Sequence, residues 1–182
     1  MDWRHLCSMS AIAVLGVGLL PGTALSEQTS ASIKDQLVGT WLNVSIKYKF
    51  PDGRTVDSFG PNSKGIMMLD SGGRMAFINI RSDLPKFASK DRTNGTPEEN
   101  KAVVQGSFAY FGTYTVDEAS RTLTVRYEAS TFPNFEGMEA KRTYTLTGDE
   151  LSYTNPVATI GPGVVAEAVW RRAPNGAPTA HK

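Results

Sequence analysis

Cysteine and histidine are nearly absent from this chain of 182 residues, which contains one cysteine and two histidines. Cys7 and His5 lie close to the N-terminus, and His181 lies close to the C-terminus. The long stretch between them cannot form a disulfide, a zinc site of Cys and His, a cysteine nucleophile or a Ser-His-Asp triad. We therefore expect no metal and no cofactor, and catalysis would have to use carboxylate, Lys, Tyr, Arg or Ser side chains.

A strong excess of charge of either sign is missing as well. Nineteen Lys and Arg residues against eighteen Asp and Glu residues give a formal net charge of +1. Proteins that bind nucleic acids usually carry a strong basic excess, so no nucleic-acid partner is expected. With 40% hydrophobic and 20% charged residues, the chain has the composition of one globular domain.

Long hydrophobic runs are also missing, with one exception near the start. Residues 11–20 (AIAVLGVGLL) are too few to cross a bilayer as a helix and have the length of the apolar part of a signal peptide. Ala24-Leu25-Ser26 provides small residues for a signal peptidase. We predict a signal peptide at residues 1–26 and export to a periplasm or out of the cell, with no integral membrane segment after cleavage. A buried N-terminal helix is the alternative.

What the chain does contain is a series of short strand patterns separated by turns. After a polar lead at residues 27–34, runs rich in Val, Ile, Thr and aromatic residues alternate with turn signals such as Ser71-Gly72-Gly73. The hairpin spacing of these runs predicts an all-β domain at residues 35–173, an antiparallel barrel or sandwich of about eight to ten strands. Residues 174–182, rich in Pro, Gly and Ala, are expected to be a disordered tail.

One helix interrupts the strands. Thr96-Pro97-Glu98-Glu99 has the pattern of a capping box, with proline at the first helical position. The polar segment ahead of it, residues 82–95, is longer than a hairpin connection needs. We predict that this loop is a lid over the open end of the barrel and that Phe87 points toward the cavity.

Several short motifs occur in order along the chain. Gly39-Thr40-Trp41 opens the first long strand, and it is followed by FASKD at 87–91, GTPEE at 95–99, AYFGTY at 109–114, FPN at 132–134 and WRR at 170–172. Together these motifs resemble the lipocalin-like domain family of small bacterial and fungal proteins, over residues 35–172. The resemblance implies a calycin-type β-barrel around an internal cavity, and it implies little about chemistry.

The resemblance also implies how the barrel is closed. In calycins the Trp of the Gly-x-Trp motif closes one end of the barrel, often beneath an Arg of the last strand, so Trp41 would pack against Arg171 or Arg172. A guanidinium group stacks well on an indole ring. The strand ahead of the FPN motif often carries two histidines in this family, whereas Val125 and Arg126 occupy those places here. This departure argues against transferring a catalytic role to the chain.

Residues of one parity along a strand share one face of the sheet. On the strands after the helix, the apolar parity, which we place inside, includes one cation and several tyrosines: Arg142, Tyr110, Tyr114, Tyr127 and Tyr144. Arg142 would be a cation among aromatic side chains, suited to a carboxylate or a phenolate. The alternatives are an exposed Arg142 on the outer wall and tyrosines that only pack in the core.

The first strand has two competing parities. One set is Trp41, Asn43 and Ser45, and the other is Leu42, Val44 and Ile46. The resemblance turns Trp41 inward, whereas hydrophobicity favours the second set. The sequence leaves this open, and Asn43 is a candidate to orient a ligand if its set is internal.

Arg126 and Glu128 lie on the polar parity of the strand that carries Tyr127. They are either candidate site residues or a solvated cross-strand ion pair of little energetic value. If Arg142 is exposed on the outer wall, the face with Arg126 and Glu128 becomes the better candidate site.

Three functions remain open from the sequence. The first is binding of a small, mainly apolar and possibly acidic ligand, with Arg142 or Asn43 orienting its polar end. The second is a cofactor-independent isomerase, cyclase or lyase that uses Glu128 or a cavity tyrosine as acid or base, with Arg142 stabilising an anion. The third is a structural or interaction domain with a filled core.

Overall fold

Two ranges of the chain, residues 32–157 and 159–174, are described by the computed structural model. The predicted signal peptide at residues 1–26 lies outside these ranges, as does the predicted tail beyond residue 174. Within the described ranges, no helix is both long enough and apolar enough to cross a membrane. The fold described below is therefore that of the predicted β-domain.

Eight antiparallel strands close into a barrel, which confirms the predicted fold. Neighbours in sequence pair from β3 to β9, and β1 joins β3 to β9 and so closes the cylinder. The short β2 pairs with the last residues of β1. The strands are β1 (Gly39–Lys49), β2 (Thr55–Asp57), β3 (Lys64–Leu69), β4 (Arg74–Ile80), β5 (Ser107–Asp117), β6 (Thr122–Ser130), β7 (Glu139–Thr147), β8 (Glu150–Asn155) and β9 (Val165–Arg172).

Two α-helices and one 3-10 turn (Pro133–Phe135) accompany the described strands. Helix α2 (Pro97–Gly106) begins with the predicted capping box. The backbone N–H of Glu99 donates to Thr96 Oγ1 at 3.2 Å, and the backbone N–H of Thr96 donates to the carboxylate of Glu99 at 2.8 Å. Helix α1 (Ile33–Leu37) was not predicted and begins within the predicted polar lead. The side chain of Ser32 caps this helix.

A β-bulge in β1 resolves the two competing parities of this strand. Opposite β9, the register shifts between Asn43 and Ser45. Before the bulge Trp41 points inward and is fully buried, whereas beyond it the buried residue is Ile46. Val44, at the bulge, is exposed. Because a bulge inserts one residue, each parity is internal along only one half of the strand.

A second bulge lies in β6, opposite β5. The register shifts at Phe111 and Gly112, and Glu128 is the extra residue on β6. A Cβ atom on Gly112 would lie 2.0 Å from the carbonyl oxygen of Arg126, so this close approach requires glycine. Ala129 pairs with the exposed Phe111 and shares its outward direction. Simple alternation from Tyr127 would place Ala129 on the inner face, and the bulge turns it outward.

One end of the barrel is closed by Trp41. Its indole Nε1 donates to the carbonyl oxygen of Leu37 at 2.9 Å, and the guanidinium carbon of Arg172 lies 4.3 Å from the ring centroid. Arg172 also donates to the carbonyl oxygen of Val38 at 3.0 Å. The closing arginine is therefore Arg172, and the assignment of Arg171 is corrected, because its side chain is exposed on the outer surface.

Candidate ligand-binding site

Arg142 lies inside the barrel, where its parity placed it. The strand β7 alternates regularly, and its inward side chains include Ala140, Arg142 and Tyr144, which are all buried. The residue is only 2% exposed, although it carries a full positive charge. The alternative of an arginine on the outer wall does not apply.

Hydroxyl groups and aromatic faces surround the guanidinium group of Arg142. Its Nη2 donates to the hydroxyl oxygens of Tyr110 and Tyr127, at 2.9 Å each. Its central carbon lies 4.9 Å from the ring centroid of Tyr153 and 5.6 Å from that of Tyr110. Nε and Nη1 are buried and have no hydrogen-bond partner in the described part of the chain. Two donor nitrogens are thus left for another group.

The charge of Arg142 is not compensated by a carboxylate among residues 32–157 and 159–174, where the ion pairs involve other side chains. Arginine cannot lose its proton under ordinary conditions. Burial raises the pKa of Tyr110 and of Tyr153 above the usual 10.0, and the nearby Arg142 offsets only part of this effect. Both hydroxyl groups therefore stay neutral near pH 7, and the site remains positively charged.

An internal cavity of about 40 Å³ lies beside Arg142. Its wall is largely aromatic and includes Phe77, Phe108, Tyr110, Tyr127, Phe135 and Tyr153. This volume holds a few water molecules, whereas a cavity that binds benzene has about 150 Å³. In this conformation the cavity can accept a small polar group but not a ring.

A larger pocket of about 410 Å³, here called the vestibule, lies at the end of the barrel opposite Trp41. Four residues line both the vestibule and the cavity: Tyr48, Phe59, Phe108 and Thr159. The hydroxyl groups of Tyr48 and Thr159 are 3.0 Å apart and form a hydrogen bond. Exposed apolar side chains border the vestibule, namely Val104 of α2, Phe132 and Ile160. The cavity and the vestibule therefore adjoin, and together they are called the funnel below.

The loop at residues 82–95 does not line this funnel. None of these residues, all of which are described, contributes to the wall of the cavity or the vestibule. The ring of Phe87 packs against Gly95, where a Cβ atom would lie 2.6 Å from it. The prediction that Phe87 points toward the cavity is therefore wrong, because the loop folds against the start of α2. Helix α2 lines the vestibule itself, through Val104.

Tyr114 and Tyr144 are buried inside the barrel, but neither lines the cavity. The hydroxyl of Tyr114 donates to the carbonyl oxygen of Asp70, in the β3–β4 turn at the closed end. Tyr144 follows Arg142 along β7 toward the same end, and its hydroxyl is buried without a partner among the described residues. These two predicted site residues are part of the packed core.

Asn43 points inward but is separate from the cavity. Its Nδ2 donates to Ser63 Oγ at 2.9 Å, and Nδ2 of the fully buried Asn79 is 3.5 Å from the same oxygen. None of the three residues is in the cavity wall. Asn43 therefore belongs to a polar cluster between β1 and β4 and does not contact the space beside Arg142.

Arg126 and Glu128 lie on the outer surface and not at the cavity. The carboxylate of Glu128 forms an ion pair with Arg74, and Arg126 lies 3.5 Å from the carboxylate of Glu139. Glu128 cannot reach the cavity, so its candidate role as an acid or base is corrected. No three His, Cys, Asp or Glu side chains in the described ranges stand close enough together to hold a metal ion.

Sequence reasoning missed several wall residues. Tyr153 lies between Leu151 and Asn155 on the inward parity of β8, and Phe77 lies on that of β4. The parity argument that placed Arg142 inside applies equally to these two short, regular strands. Phe108 shares the parity of Tyr110 on β5 and could have been found from it.

The profile of a family described as a lipocalin-like domain matches residues 38–173, which include every strand of the barrel. The chain belongs to the lipocalin-like domain family. Membership in this family fits the binding of a small molecule. It does not by itself identify the ligand.

This lipocalin-like protein is similar to a fungal carrier protein in sequence and to two bacterial proteins in structure. It is 27% identical over 103 residues to the 4'-hydroxy-3'-methoxypropiophenone carrier protein ppsC of Aspergillus oryzae, in an alignment that covers 52% of this chain and 93% of the relative. A crystal structure of a lipocalin-like protein from Bacteroides uniformis shares 15% identity, with a TM-score of 0.40. One of an uncharacterized protein from Bacteroides eggerthii shares 14%, with a TM-score of 0.37. Each of these structural matches covers 75% of this chain and 98% of the other.

Proposed function

We propose that this lipocalin-like protein binds a small, mainly apolar organic acid and that Arg142 holds the acidic group inside the barrel. The observation that carries the proposal is a buried guanidinium group with two unpartnered nitrogens and no carboxylate beside it in the described chain. A buried charge without a partner is costly. A ligand carboxylate supplies both a negative charge and acceptor oxygens, and such charge-assisted hydrogen bonds are the strong ones.

The volumes of the cavity and the vestibule support one way for this ligand to bind. The cavity beside Arg142, about 40 Å³, suits a carboxylate group, and the vestibule, about 410 Å³, suits the apolar body. Phe59 and Phe108 lie between the two spaces, so a planar ligand would contact aromatic faces on its way in. Full entry of a ring requires these side chains, and the Tyr48–Thr159 hydrogen bond, to move.

The fungal relative supports the size of the ligand but not its charge. Its name gives its ligand as 4'-hydroxy-3'-methoxypropiophenone, a small aryl ketone with hydroxyl and methoxy groups. An aromatic body of this size fits the volume of the vestibule, about 410 Å³. The acidity that we propose rests on Arg142 alone, so the two ligand types can be compared directly.

The test is isothermal titration calorimetry with three matched ligands: 3-phenylpropionate, the neutral 3-phenylpropionamide, and 4'-hydroxy-3'-methoxypropiophenone. We expect the acid to bind at least about tenfold more tightly than the amide, since hydrogen bonds to charged groups contribute about 1.5–3 kcal/mol. Equal binding of the acid and the amide would contradict an acidic ligand. Binding of the ketone alone would keep the cavity as the site and replace the ligand class.

Three variants test where the acid binds. Arg142→Leu should abolish binding of the acid, whereas Arg126→Leu, which removes an exposed arginine from the outer wall, should bind it like the wild type. Normal acid binding by Arg142→Leu would show that the site lies elsewhere. Tyr110→Phe should weaken binding more modestly, because it removes one of the two hydroxyls that orient the guanidinium group.

We also propose that the protein is exported and loses residues 1–26. The support is the apolar run at residues 11–20 followed by Ala24-Leu25-Ser26, which lie outside the described ranges. N-terminal sequencing of protein from its own cells should begin at Glu27. A sequence that begins at Met1 on folded protein would contradict the proposal.

A further inference from the structure

Asn155 is a second polar residue in the wall of the cavity that adjoins Arg142. It is the last residue of β8 and is only 8% exposed. Thr154 pairs with Thr143 in the antiparallel ladder between β7 and β8, so the next position along each strand brings Asn155 opposite Arg142. Both side chains point into the barrel, and opposite residues of this kind have Cβ atoms about 5 Å apart. Asn155 is thus the neighbour of Arg142 on the adjacent strand.

The orientation of the Asn155 side-chain amide is fixed by a backbone group. The backbone N–H of Val157 donates to Oδ1 of Asn155 at 3.1 Å, and this is the one hydrogen bond of the Asn155 side chain within residues 32–157 and 159–174. Because a backbone N–H is a donor, the atom that faces it has to be the amide oxygen, and the amide nitrogen is turned the other way. Nδ2 of Asn155 is therefore an open donor in the cavity wall.

Donors are open in this part of the cavity, whereas the neighbouring acceptors are in use. Arg142 leaves Nε and Nη1 open, and Asn155 leaves Nδ2 open. The hydroxyl oxygens of Tyr110 and Tyr127 already accept from Arg142. The open nitrogens carry about five hydrogens, one on Nε and two each on Nη1 and Nδ2, whereas a carboxylate has about four acceptor positions. A carboxylate alone therefore leaves a donor unmatched.

The cavity also has room for one more oxygen atom than a carboxylate contains. A single water molecule needs about 10–15 Å³ of such space, so a cavity of about 40 Å³ holds roughly three oxygen-sized groups. A carboxylate fills two of these positions. The third position is left for a further acceptor close to the carboxylate, because the cavity is too small for one farther away.

We infer, on the basis of the proposed function, that the ligand is a 2-oxo acid, whose carboxylate binds Arg142 and whose oxo oxygen accepts from Nδ2 of Asn155. A carbonyl oxygen only accepts hydrogen bonds, whereas a hydroxyl group at the same carbon also brings a proton that needs an acceptor of its own. A site that pairs its donors with one ligand group discriminates against ligands that lack this group. Asn155 is then the residue that distinguishes a 2-oxo acid from a simple acid.

Isothermal titration calorimetry with three acids of one carbon skeleton tests this role: 4-phenylbutanoate, 2-oxo-4-phenylbutanoate and 2-hydroxy-4-phenylbutanoate. We expect the oxo acid to bind about fivefold more tightly than either of the others, which corresponds to one additional neutral hydrogen bond. Binding of the unsubstituted acid with no gain from the oxo group would overturn the inference and leave the proposed function intact. Tighter binding of the hydroxy acid would also overturn it. If none of the three acids binds, both the inference and the proposed function fail.

Asn155→Leu should remove the advantage of the oxo group. The oxo acid and the unsubstituted acid should bind this variant with equal affinity, because the donor for the oxo oxygen is gone. Thr154→Val, on the outward face of the same strand, is the matched control and should keep the wild-type ratio of the two affinities. An advantage that persists in Asn155→Leu would show that the oxo group is bound elsewhere.

A second variant keeps the hydrogen bond with Val157, so that a failure of Asn155→Leu to fold does not decide the question. Asn155→Asp retains an acceptor for the N–H of Val157 and replaces the open donor with a negative charge beside Arg142. It should weaken binding of all three acids by about tenfold or more, because the new carboxylate takes the place of the ligand at the guanidinium group. Normal binding of the acids by Asn155→Asp would place Asn155 outside the site and overturn the inference.

Discussion

Arg172 and Arg142 both stack on aromatic rings, and they differ in how completely their donors are used. Arg172 lies over Trp41 at the closed end, donates to the carbonyl oxygen of Val38 and approaches the carboxylate of Asp149 at 3.3 Å. Arg142 lies inside the barrel between tyrosines and leaves Nε and Nη1 without a partner in the described chain. The first is partly exposed and paired with a carboxylate, whereas the second is buried with no carboxylate beside it.

The comparison separates a structural role from a binding role for the same chemical group. An arginine whose donors meet fixed backbone acceptors holds elements together, and its removal should reduce stability. An arginine whose charge and donors are unmet in the barrel interior carries a stability cost that a ligand can relieve. Removal of Arg172 should therefore lower the free energy of unfolding, whereas removal of Arg142 should abolish ligand binding without lowering that free energy.

The largest effect is expected at the ring beneath Arg172. Trp41→Ala should lower the free energy of unfolding by about 3–5 kcal/mol, because it removes a fully buried indole and leaves a cavity. Urea denaturation followed by far-UV circular dichroism measures this change. A loss below about 1 kcal/mol would mean that Trp41 does not close the barrel, since cavities of this size cost more.

Arg172→Leu should come next, with a loss of about 2 kcal/mol in the same denaturation experiment. The change removes the donor of the Val38 carbonyl and the cation that stacks on Trp41. Arg171→Leu is the matched control, because Arg171 points outward and should change stability little. Equal losses in the two variants would remove the distinction between the arginines at this end.

The stability of the protein at alkaline pH tests whether the tyrosines beside Arg142 are buried. In the folded protein the pKa of Tyr110 and the pKa of Tyr153 lie above the usual 10.0, because burial disfavours the charged form. The unfolded chain releases these protons near pH 10, whereas the folded protein still keeps them. The free energy of unfolding is therefore unaffected by the two tyrosines below pH 10 and falls as the pH rises above it. Each tyrosine should contribute a slope of about 1.4 kcal/mol per pH unit.

Tyr110→Phe provides the control for this pH dependence. Urea melts between pH 9 and pH 11 should show a slope that is shallower by the contribution of one tyrosine. An unchanged slope would mean that Tyr110 ionises as easily in the folded protein as in the unfolded chain.

The smallest effect on stability is expected at Arg142. Arg142→Leu should leave the free energy of unfolding unchanged or raise it by about 1 kcal/mol in the absence of ligand, because replacing buried charges by apolar side chains is often neutral or stabilising. Thermal denaturation without ligand measures this change directly. A loss as large as that expected for Arg172→Leu would show that Arg142 is a structural residue, contrary to the role we propose.

Regular strands made the inner surface of the barrel predictable. On β7 each second residue is buried from Ala140 to Tyr144, so alternation placed Arg142 inside without any further information. The turns and the helix start at Thr96 were equally local features of the sequence. The position of Arg172 over Trp41 followed from the resemblance, which left only the choice between two neighbouring arginines.

The two bulges and the long loop could not be predicted in the same way. A bulge changes the face of every later residue, and no residue type marks the bulges at Val44 and Glu128 uniquely. The length of the loop at residues 82–95 suggested a lid, but the contact between Phe87 and Gly95 turns it toward α2. Such a contact depends on packing, and alternation contains no information about it.

The ladder between β1 and β9 also determines how slowly the chain can fold. It joins the two ends of the domain, and the hydrogen bond from Arg172 to Val38 spans 134 residues. Contacts so distant in sequence slow folding, because the loop must close before they form. The same ladder brings the first and last strands side by side. A circular permutant that joins the residues after β9 to those before α1 and opens the chain at the β3–β4 turn exchanges the eight distant residue pairs between β1 and β9 for the six between β3 and β4. It should therefore fold somewhat faster than the natural order.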